Sequence, residues 1–238
     1  MLEHGIRSLM RTILYDSDLE EYHPYIDLNT KNKSFIRLAL VLRRMGIKNN
    51  HFFLALFDRS LIGVDPHDPN LTTEQQLRIS YESKINVWYW IREVVRIPVV
   101  GSEKGIPFTL SRGNLAAVWA FFNDVDIGLV MPRQTGKTYC TQVIVAYLMF
   151  VRAINLDIGM FTKDGTLVQD NVARLKALRD GLPAWMITKG TADIDRKEGL
   201  GYKALNNVYK TFTSANDERG AYKLGRKQAT ASCYSNVV

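Results

Sequence analysis

Apolar and polar residues alternate with helical spacing through the N-terminal part of the chain. Phe35, Leu38, Ala39 and Leu42 recur on one face of a predicted helix, and Gly46 follows as its C-terminal cap. We therefore expect residues 1 to about 100 to be mostly helical.

A second helix is predicted after the turn-rich segment GVDPHDPNLTT. Thr72 or Thr73, with Gln75 or Gln76 three residues later, has the spacing of a capping box. The predicted helix runs through QQLRISYESKINVWYWIREVV and ends at Pro98.

Two local clusters in this part each have two interpretations. His67 with Asp65 and Asp68 has residue types that bind metals, but prolines on both sides favour turn chemistry. The aromatic run Trp88-Tyr89-Trp90 has side chains that stack on bases. Consecutive aromatics point around a helix, however, which favours packing of this helix on the next domain.

From about residue 105 the pattern changes to strand-like and helix-like segments in alternation. In chain order we predict the strand DIGLVMP, the buried helix GKTYCTQVIVAYLMFVRA, the strand LDIGMFT, the helix TLVQDNVARLKALRDGLP, the strand NNVYKTFTSA and a candidate further strand SCYSNVV. The second of these helices has one apolar stripe, formed by Val168, Val172, Leu175, Leu178 and Leu182. This order predicts an α/β fold with a mostly parallel sheet flanked by helices. We divide the chain into a mostly helical subdomain, 1–104, and an α/β core, 105–238.

Composition and charge limit the functional classes. The 238 residues have a net charge of +7, and the excess is concentrated near the C-terminus, which fits either a polyanionic partner or a solvated surface. The two cysteines, Cys140 and Cys233, suit a reducing compartment. The N-terminus lacks a signal pattern, and the longest apolar stretch, residues 143–151, is too short for a bilayer. We expect a soluble, intracellular protein.

The segment MPRQTGKT lies between the first predicted strand of the core and its buried helix. Gly136-Lys137-Thr138 is the end of a phosphate-binding loop, although Met131 stands where the usual first glycine belongs. Backbone amides at the helix N-terminus would face the phosphates, Lys137 would neutralise them, and the Thr138 hydroxyl would bind Mg²⁺. A structural GKT turn without a nucleotide is the alternative.

Arg133 is an unusual residue for such a loop. Its guanidinium would reach the γ-phosphate from within the chain and stabilise the transition state, as an arginine finger does. A salt bridge that fixes the loop to a neighbouring strand explains Arg133 equally well. Pro132 stiffens the loop beside it.

MPRQTGKT resembles the deviant Walker A motif of large terminase subunits, the ATPase motors that package DNA into tailed-phage heads. Further segments are similar to the same family: NVWYWIREVVRIP, PFTLSRGNLAAVWAFFNDVDIGLV, FTKDGTLVQDNVARLKALRDGLP and TSANDERGAYKLGRKQATA. The resemblance covers most of residues 80–238, and the loop is its most specific part. It implies a P-loop NTPase fold of the RecA-like (ASCE) class for the core.

The resemblance also implies the ligands and partners. ATP and Mg²⁺ would be bound by the loop residues, which are Pro132, Arg133, Gln134, Thr135, Gly136, Lys137 and Thr138. Lys137 and Arg133 would take part in hydrolysis, and Thr138 would contact Mg²⁺ held by the nucleotide. Asn114 falls roughly where the family has its adenine-reading Gln and is a candidate adenine contact. The implied partners are double-stranded DNA, the portal protein, the small terminase subunit and further copies in a ring, in the cytoplasm of an infected bacterium.

The chain departs from the family at the Walker B motif, which needs an apolar strand ending in Asp-Glu. Asp217-Glu218 follows TFTSAN, which is too polar for that strand, whereas SCYSNVV suits its beginning. We expect the acid pair to follow Val238 in an intact relative. The chain would then be a shortened piece, the product of a split gene, or one half of a gene interrupted by an intein or intron, and the sequence does not choose among these. Hydrolysis by this chain alone should then be poor.

Two other functions fit parts of the sequence. A helicase-type translocase has a similar core and adenine segment but needs a second RecA-like domain, for which the chain has no room. A non-catalytic DNA-binding or assembly module would retain the loop as a relic. A DNA affinity that is the same with and without ATP would indicate this non-catalytic module.

Overall fold

The computed structural model divides the chain into two compact units. It describes residues 25–99, 101–126, 128, 136–162, 165–188, 190 and 193–213, with backbone only at 103, 104 and 213. The first unit comprises the described residues up to Arg96 together with Ile106–Ala116. The second comprises Ile97–Gly105 and the described residues from Ala117 onward.

The first unit is built mainly from helices. Its labelled elements are β1 (Tyr25–Ile26), α1 (Lys33–Arg44), β2 (Ala55–Leu56), α2 (Thr73–Ile85) and α3 (Val87–Tyr89), which continues as a π-helix (Trp90–Val94). Single 3₁₀ turns span Phe52–Leu54 and Arg59–Leu61, and β1 pairs with β2 in antiparallel orientation. Helices are the main regular elements of the described residues of this unit, and residues 1–24 lie outside the described residues.

Helix α1 has the predicted apolar stripe. Phe35, Leu38, Ala39 and Leu42 are all buried, whereas the opposite face is exposed. Gly46 follows the helix with φ of +77° and donates from its amide to the carbonyl of Arg43 at 2.9 Å. A glycine adopts this left-handed conformation without strain, so the predicted C-terminal cap is confirmed.

The capping box at the start of α2 is also confirmed. The Thr72 hydroxyl accepts a hydrogen bond from the Gln75 amide at 3.2 Å, and the Gln75 side chain accepts one from the Thr72 amide at 2.9 Å. Two amide groups that the helix itself leaves unpaired are thereby satisfied.

The single long helix predicted from Gln75 to Pro98 is wrong, because Asn86 divides it. The Asn86 side chain accepts from the Tyr89 amide at 3.1 Å and so caps α3, and it donates to the Ala55 carbonyl at 3.0 Å. The π-helix ends at Val94, and Pro98 lies in the following strand. A contact with β2, remote in sequence, therefore fixes the break.

Glu82 is a buried carboxylate whose partners are mainly backbone amides. It is 1% exposed and accepts hydrogen bonds from the amides of Phe57, at 3.1 Å, and Asp58, at 3.0 Å. The side chain of Asn86 donates a third at 2.7 Å. These bonds stabilise the buried charge and hold the chain after β2 against α2.

Arg92 lies at the centre of a second buried polar cluster. Its Nε donates to Glu93 at 2.8 Å and its Nη1 to the Phe53 carbonyl at 2.7 Å. Its Nη2 lies 3.8 Å from the Asp27 carboxylate, which is an ion-pair distance and too long for a hydrogen bond. Burial raises the pKa of Asp27, and the charge of Arg92 opposes this shift. One guanidinium thus compensates two buried carboxylates.

The cluster around His67 has the predicted turn chemistry. Asp65 accepts from the His67 amide at 3.0 Å, and Asp68 accepts from the Asn70 amide at 2.9 Å. The His67 ring lies 2.8 Å, through Nε2, from the carbonyl oxygen of Val94. These bonds within and beside the turn account for the residue types that resemble a metal site.

The aromatic run packs inside the first unit. Tyr89 and Trp90 are fully buried, and the ring of Trp88 meets that of Phe52 edge-on at 5.3 Å between centroids. Trp88 also lies near Phe53. Packing is confirmed as the role of the run, but these partners belong to its own unit and not to the next domain.

The second unit combines helices with a mixed sheet. Strands β3 (Arg96–Val99) and β4 (Ser102–Pro107) pair in a two-stranded sheet. The elements after them are α4 (Arg112–Phe122), α5 (Lys137–Tyr147) with a π-helical end (Leu148–Arg152), β5 (Asp157–Thr162), α6 (Gly165–Asp180), β6 (Ile194–Asp195), β7 (Gly199–Tyr202) and β8 (Asn207–Thr213). The boundaries between the units fall within β3, β4 and α4.

The sheet of the second unit has the order β5-β8-β7-β6. The predicted helices α5 and α6 and the predicted strands β5 and β8 occur in the expected chain order, but two strands that were not predicted, β6 and β7, lie between α6 and β8. Strand β5 pairs with β8 in parallel, from Asp157 opposite Val208 to Thr162 opposite Thr213. The prediction of a mostly parallel sheet is wrong for the described strands, because β6, β7 and β8 pair in antiparallel orientation. Most of the predicted strand DIGLVMP and all of SCYSNVV lie outside the described residues.

Helix α6 has the apolar stripe predicted for it. All five residues of that stripe are buried, and the helix ends at Asp180, directly before Gly181. Its charged face is held by Asp195 of β6, which accepts from Lys176 and lies 3.6 Å from Arg179. In the part of the chain that the structure describes, no helix has the length and apolar character to cross a bilayer.

Candidate phosphate-binding helix

The structure describes only the last three residues of the predicted loop. Pro132, Arg133, Gln134 and Thr135 lie outside the described residues, as do Asp217 and Glu218. Their predicted roles stay predictions. Gly136, Lys137, Thr138 and Asn114 are described.

Helix α5 begins directly after Gly136. This glycine has φ of +79° and ψ of 8°, the left-handed conformation, and it occupies the N-cap position without a side chain that could cap the helix. The Cys140 amide donates to the Gly136 carbonyl at 2.9 Å. The amides of residues 137–139 have no carbonyl four residues earlier within the helix to bond to, so they face out of its N-terminal end. A residue with a Cβ would be strained at this φ, which explains the glycine of GKT in conformational terms.

Lys137 and Thr138 are the first two residues of α5. The Lys137 side chain is exposed, and Thr138 is partly buried. The Thr141 hydroxyl donates to the Lys137 carbonyl at 3.2 Å, one turn along the helix. A cation and a hydroxyl thus stand at the positive end of an eleven-residue helix, where an anion is stabilised.

Helix α5 is buried from Gln142 onward, as its apolar sequence predicts, and Cys140 two residues earlier is buried as well. The thiol of Cys140 is 2% exposed, and burial raises its pKa to about 11. It is therefore protonated at neutral pH and unsuited to be a nucleophile.

Asn207, at the start of β8, fixes the far end of α5. Its side-chain amide donates to the carbonyls of Met149 at 2.9 Å and Ala153 at 2.8 Å, and contacts that of Leu148 at 3.3 Å. Its oxygen accepts from the Leu156 amide at 2.8 Å. One buried side chain thereby supplies hydrogen-bond partners for the backbone groups that the π-helical end and the following turn leave unpaired.

We expect Asn207→Ala to lower the free energy of unfolding of the second unit by about 2–3 kcal/mol, because it leaves buried carbonyls and an amide without partners. Urea unfolding measures the change. The matched control is Asn206→Gly, since Asn206 is exposed with φ of +54°, which glycine tolerates. If both variants unfold alike, Asn207 does not have this anchoring role.

Gln142 and Tyr209 form a second polar contact between α5 and β8. Gln142 Nε2 lies 3.5 Å from the Tyr209 hydroxyl and 3.5 Å from the sulfur of Met160. The Tyr209 hydroxyl donates to the same sulfur at 3.0 Å. The Gln142 oxygen is buried and accepts no hydrogen bond from any residue in the described part of the chain. Neither polar link between α5 and β8, at Asn207 or at Gln142, was predicted from the sequence. For Gln142 the signal in the sequence is a glutamine inside an apolar helix.

Asn114 lies on α4, in the portion that belongs to the first unit. It is 4% exposed, its side-chain amide donates to the Thr109 carbonyl at 3.4 Å, and its backbone amide donates to the Ser111 hydroxyl at 3.3 Å. Gly136, Lys137 and Thr138 belong to the second unit. The structure thus places three of the predicted site residues at the start of α5. The Asn114 side chain contacts the turn before α4, and its predicted contact with adenine stays a prediction.

In P-loop NTPases Mg²⁺ is held by the nucleotide, by the hydroxyl of the loop Ser or Thr and by a Walker B Asp. Among the described residues, no group of three or more His, Cys, Asp or Glu side chains is placed to bind a metal. The partly buried Thr138 at the start of α5 fits the hydroxyl ligand.

No protein-family model and no curated protein matches this chain. The basis for a function is therefore the chemistry of the residues at the start of α5.

Proposed function

We propose that this chain is the ATP-binding part of a DNA-packaging motor related to large terminase subunits. The observation that supports this most directly is the helix start, where Gly136 is left-handed and Lys137 and Thr138 follow at the N-terminus of α5. The same residues end the segment MPRQTGKT, which resembles the terminase loop. The proposed fold of the second unit is accordingly a P-loop NTPase core.

In this proposal each residue at the start of α5 has one task. The amides of the first turn and the helix dipole bind the β- and γ-phosphates, and Lys137 neutralises their charge. Thr138 offers its hydroxyl to Mg²⁺, which supplies further charge neutralisation when it is bound. Arg133 is either an internal arginine finger or a structural ion pair of the loop, as its position in the sequence suggests.

The direct test is nucleotide binding by the chain itself. We expect Mg·ATP to bind saturably in calorimetry and to raise the thermal midpoint, because a ligand at 100 times its Kd stabilises the folded state by about 2.7 kcal/mol. Inorganic phosphate alone should bind far more weakly, since it lacks the adenosine and the second phosphate. Failure of both ATP and ADP to bind at millimolar concentration would rule out the proposed site.

The motor proposal further requires that nucleotide and DNA binding be coupled. The net charge of +7 predicts salt-dependent binding of double-stranded DNA. A DNA affinity that changes when Mg·ATP is added supports a motor part. An affinity that is the same with and without ATP favours a DNA-binding module that retains the loop.

A further inference from the structure

In the described part of the chain, helices cover only one side of the mixed sheet of the second unit. Alternate residues of a strand point to opposite sides of a sheet, and register partners point to the same side. Met160 and Tyr209 point to the side that packs on α5, where both contact Gln142. The register places Asp195 of β6 on this side too, and Asp195 pairs with Lys176 of α6. Helices α5 and α6 therefore pack on the same side.

The opposite side of the sheet has a stacked pair of aromatic rings. Phe161 of β5 and Phe212 of β8 are register partners, and their ring centroids lie 5.3 Å apart with an angle of 28° between the ring planes. Phe161 is 45% exposed although it lies within a strand. Gly159, two residues earlier on the same side, has no side chain that could cover the rings. This side of the sheet thus presents an accessible aromatic surface.

Two cations lie on the same side as the rings. Lys210, two residues before the end of the ring pair on β8, is the register partner of Gly159 and Gly199. Arg196 continues the register of β6 and β7, since its amide donates to the Gly199 carbonyl at 3.1 Å. Both cationic side chains are exposed, and neither forms an ion pair with a described residue. We call the side with Phe161, Phe212, Lys210 and Arg196 the aromatic face.

A nucleic acid suits the aromatic face better than a further layer of protein does. A protein layer would take Lys210 and Arg196 out of water, and each would then need a carboxylate from that layer. Phosphate groups supply this charge themselves, and every base has a flat π-surface that stacks on an aromatic ring. Asp157 also points to this side, but it lies at the start of β5, away from the rings.

We propose that the aromatic face binds single-stranded nucleic acid. Unpaired bases stack on Phe161 and Phe212, and the phosphates of the strand lie beside Lys210 and Arg196. In a duplex the bases stack on one another, so only a single strand offers their surfaces to the rings. This site lies on the side of the sheet away from α5 and does not depend on nucleotide binding at the start of that helix.

Fluorescence anisotropy with a labelled oligothymidylate of about 15 nucleotides tests the stacking. Phe161→Leu, which keeps an apolar side chain but removes the ring, should weaken binding by roughly fivefold or more, the lower limit for the loss of one stacked base. Phe161→Tyr, which keeps the ring, should bind as the wild type does. An abasic oligonucleotide of the same length should bind the wild type and Phe161→Leu equally, because it has phosphates without bases.

The salt dependence tests the phosphate contact. Lys210→Ala should lower the slope of log affinity against log salt concentration by about 0.7, the value for one phosphate contact on a single strand. Lys203→Ala, at an exposed lysine of the same unit outside the sheet, should leave the slope unchanged. Equal losses in the two variants would indicate general attraction to a basic surface and overturn the assigned contact.

Phe57→Leu is the control for the ring, since Phe57 is an exposed phenylalanine of the first unit and should not affect binding. The inference is overturned if the wild type does not bind oligothymidylate at low salt, or if Phe161→Leu binds as tightly as the wild type. A dimer in sedimentation that Phe161→Leu dissociates would assign the aromatic face to a second copy instead. The comparison of oligothymidylate with the abasic strand needs only the wild type, so equal affinities there refute stacking even if a variant fails to fold. ATP binding, measured separately, is not affected by any of these outcomes.

Discussion

Replacing Arg92 with leucine is expected to lower the free energy of unfolding of the first unit by about 3–5 kcal/mol at neutral pH, because it leaves buried carboxylates without their compensating charge. The Arg92 side chain is fully buried and bonds to Glu93 and to the Phe53 carbonyl. Urea unfolding followed by tryptophan fluorescence measures the loss, since Trp90 is fully buried in this unit.

The pH dependence of that loss separates charge from packing. Burial raises the pKa of Asp27, and removal of Arg92 removes the charge that opposes the shift. An acid whose pKa is higher in the folded protein favours folding at low pH and loses this contribution as the pH rises through the folded pKa. The deficit of the variant should therefore shrink as the pH falls from neutral toward about 4, near the unfolded pKa.

Two further variants complete this test. Adding Asp27→Asn to Arg92→Leu should recover part of the lost stability, since one uncompensated carboxylate disappears. Arg92→Lys, which keeps the charge but not the forked donor geometry, should lose less than leucine. If the free energy of unfolding lost in Arg92→Leu is the same at every pH and is not reduced by Asp27→Asn, lost packing and not charge is responsible.

Lys137→Ala is expected to weaken ATP binding by roughly 10- to 150-fold, the equivalent of the 1.5–3 kcal/mol of a hydrogen bond to a charged group. The side chain is exposed at the helix start, so the fold should not change. Calorimetric titration with Mg·ATP gives the affinity, and circular dichroism verifies the fold. Lys203→Ala is the matched control, because Lys203 is an exposed lysine of the same unit.

An unchanged ATP affinity in Lys137→Ala would place the nucleotide, if one binds, elsewhere in the molecule. Equal weakening in Lys203→Ala would indicate general attraction of the anion to a basic surface. Only a loss specific to Lys137 supports the proposed phosphate contact.

The elements that the sequence predicts well are those determined locally. The stripes of α1 and α6 follow from the helical repeat, and the capping box of α2 involves only residues 72–75. The start of α5 at Lys137 likewise depends on adjacent residues, which is why it could be predicted, whereas the left-handed conformation of Gly136 was not.

The elements that were missed depend on contacts remote in sequence. Asn86 divides the second helix because its side chain bonds to Ala55, 31 residues earlier. Strand β7 contains Gly199 and Gly201, which disfavour a strand, and its pairing with β8 supplies the stability that its own residues lack. Gln142 meets Tyr209 across 67 residues, so only the folded chain shows that this glutamine faces a hydroxyl.

The bonds from Glu82 to the chain after β2 affect which substitutions this region tolerates. Glu82 recognises the backbone amides of Phe57 and Asp58 and not their side chains, and Phe57 is 57% exposed. Most residues at position 57 would present the same amide, so its side chain can vary over evolutionary time. Proline is the exception, since it has no amide hydrogen to donate. Position 82 has no such latitude. A shorter residue there would leave two backbone amides and Asn86 without their acceptor, and glutamine would keep one acceptor oxygen but turn its own amide donor toward one of these donors.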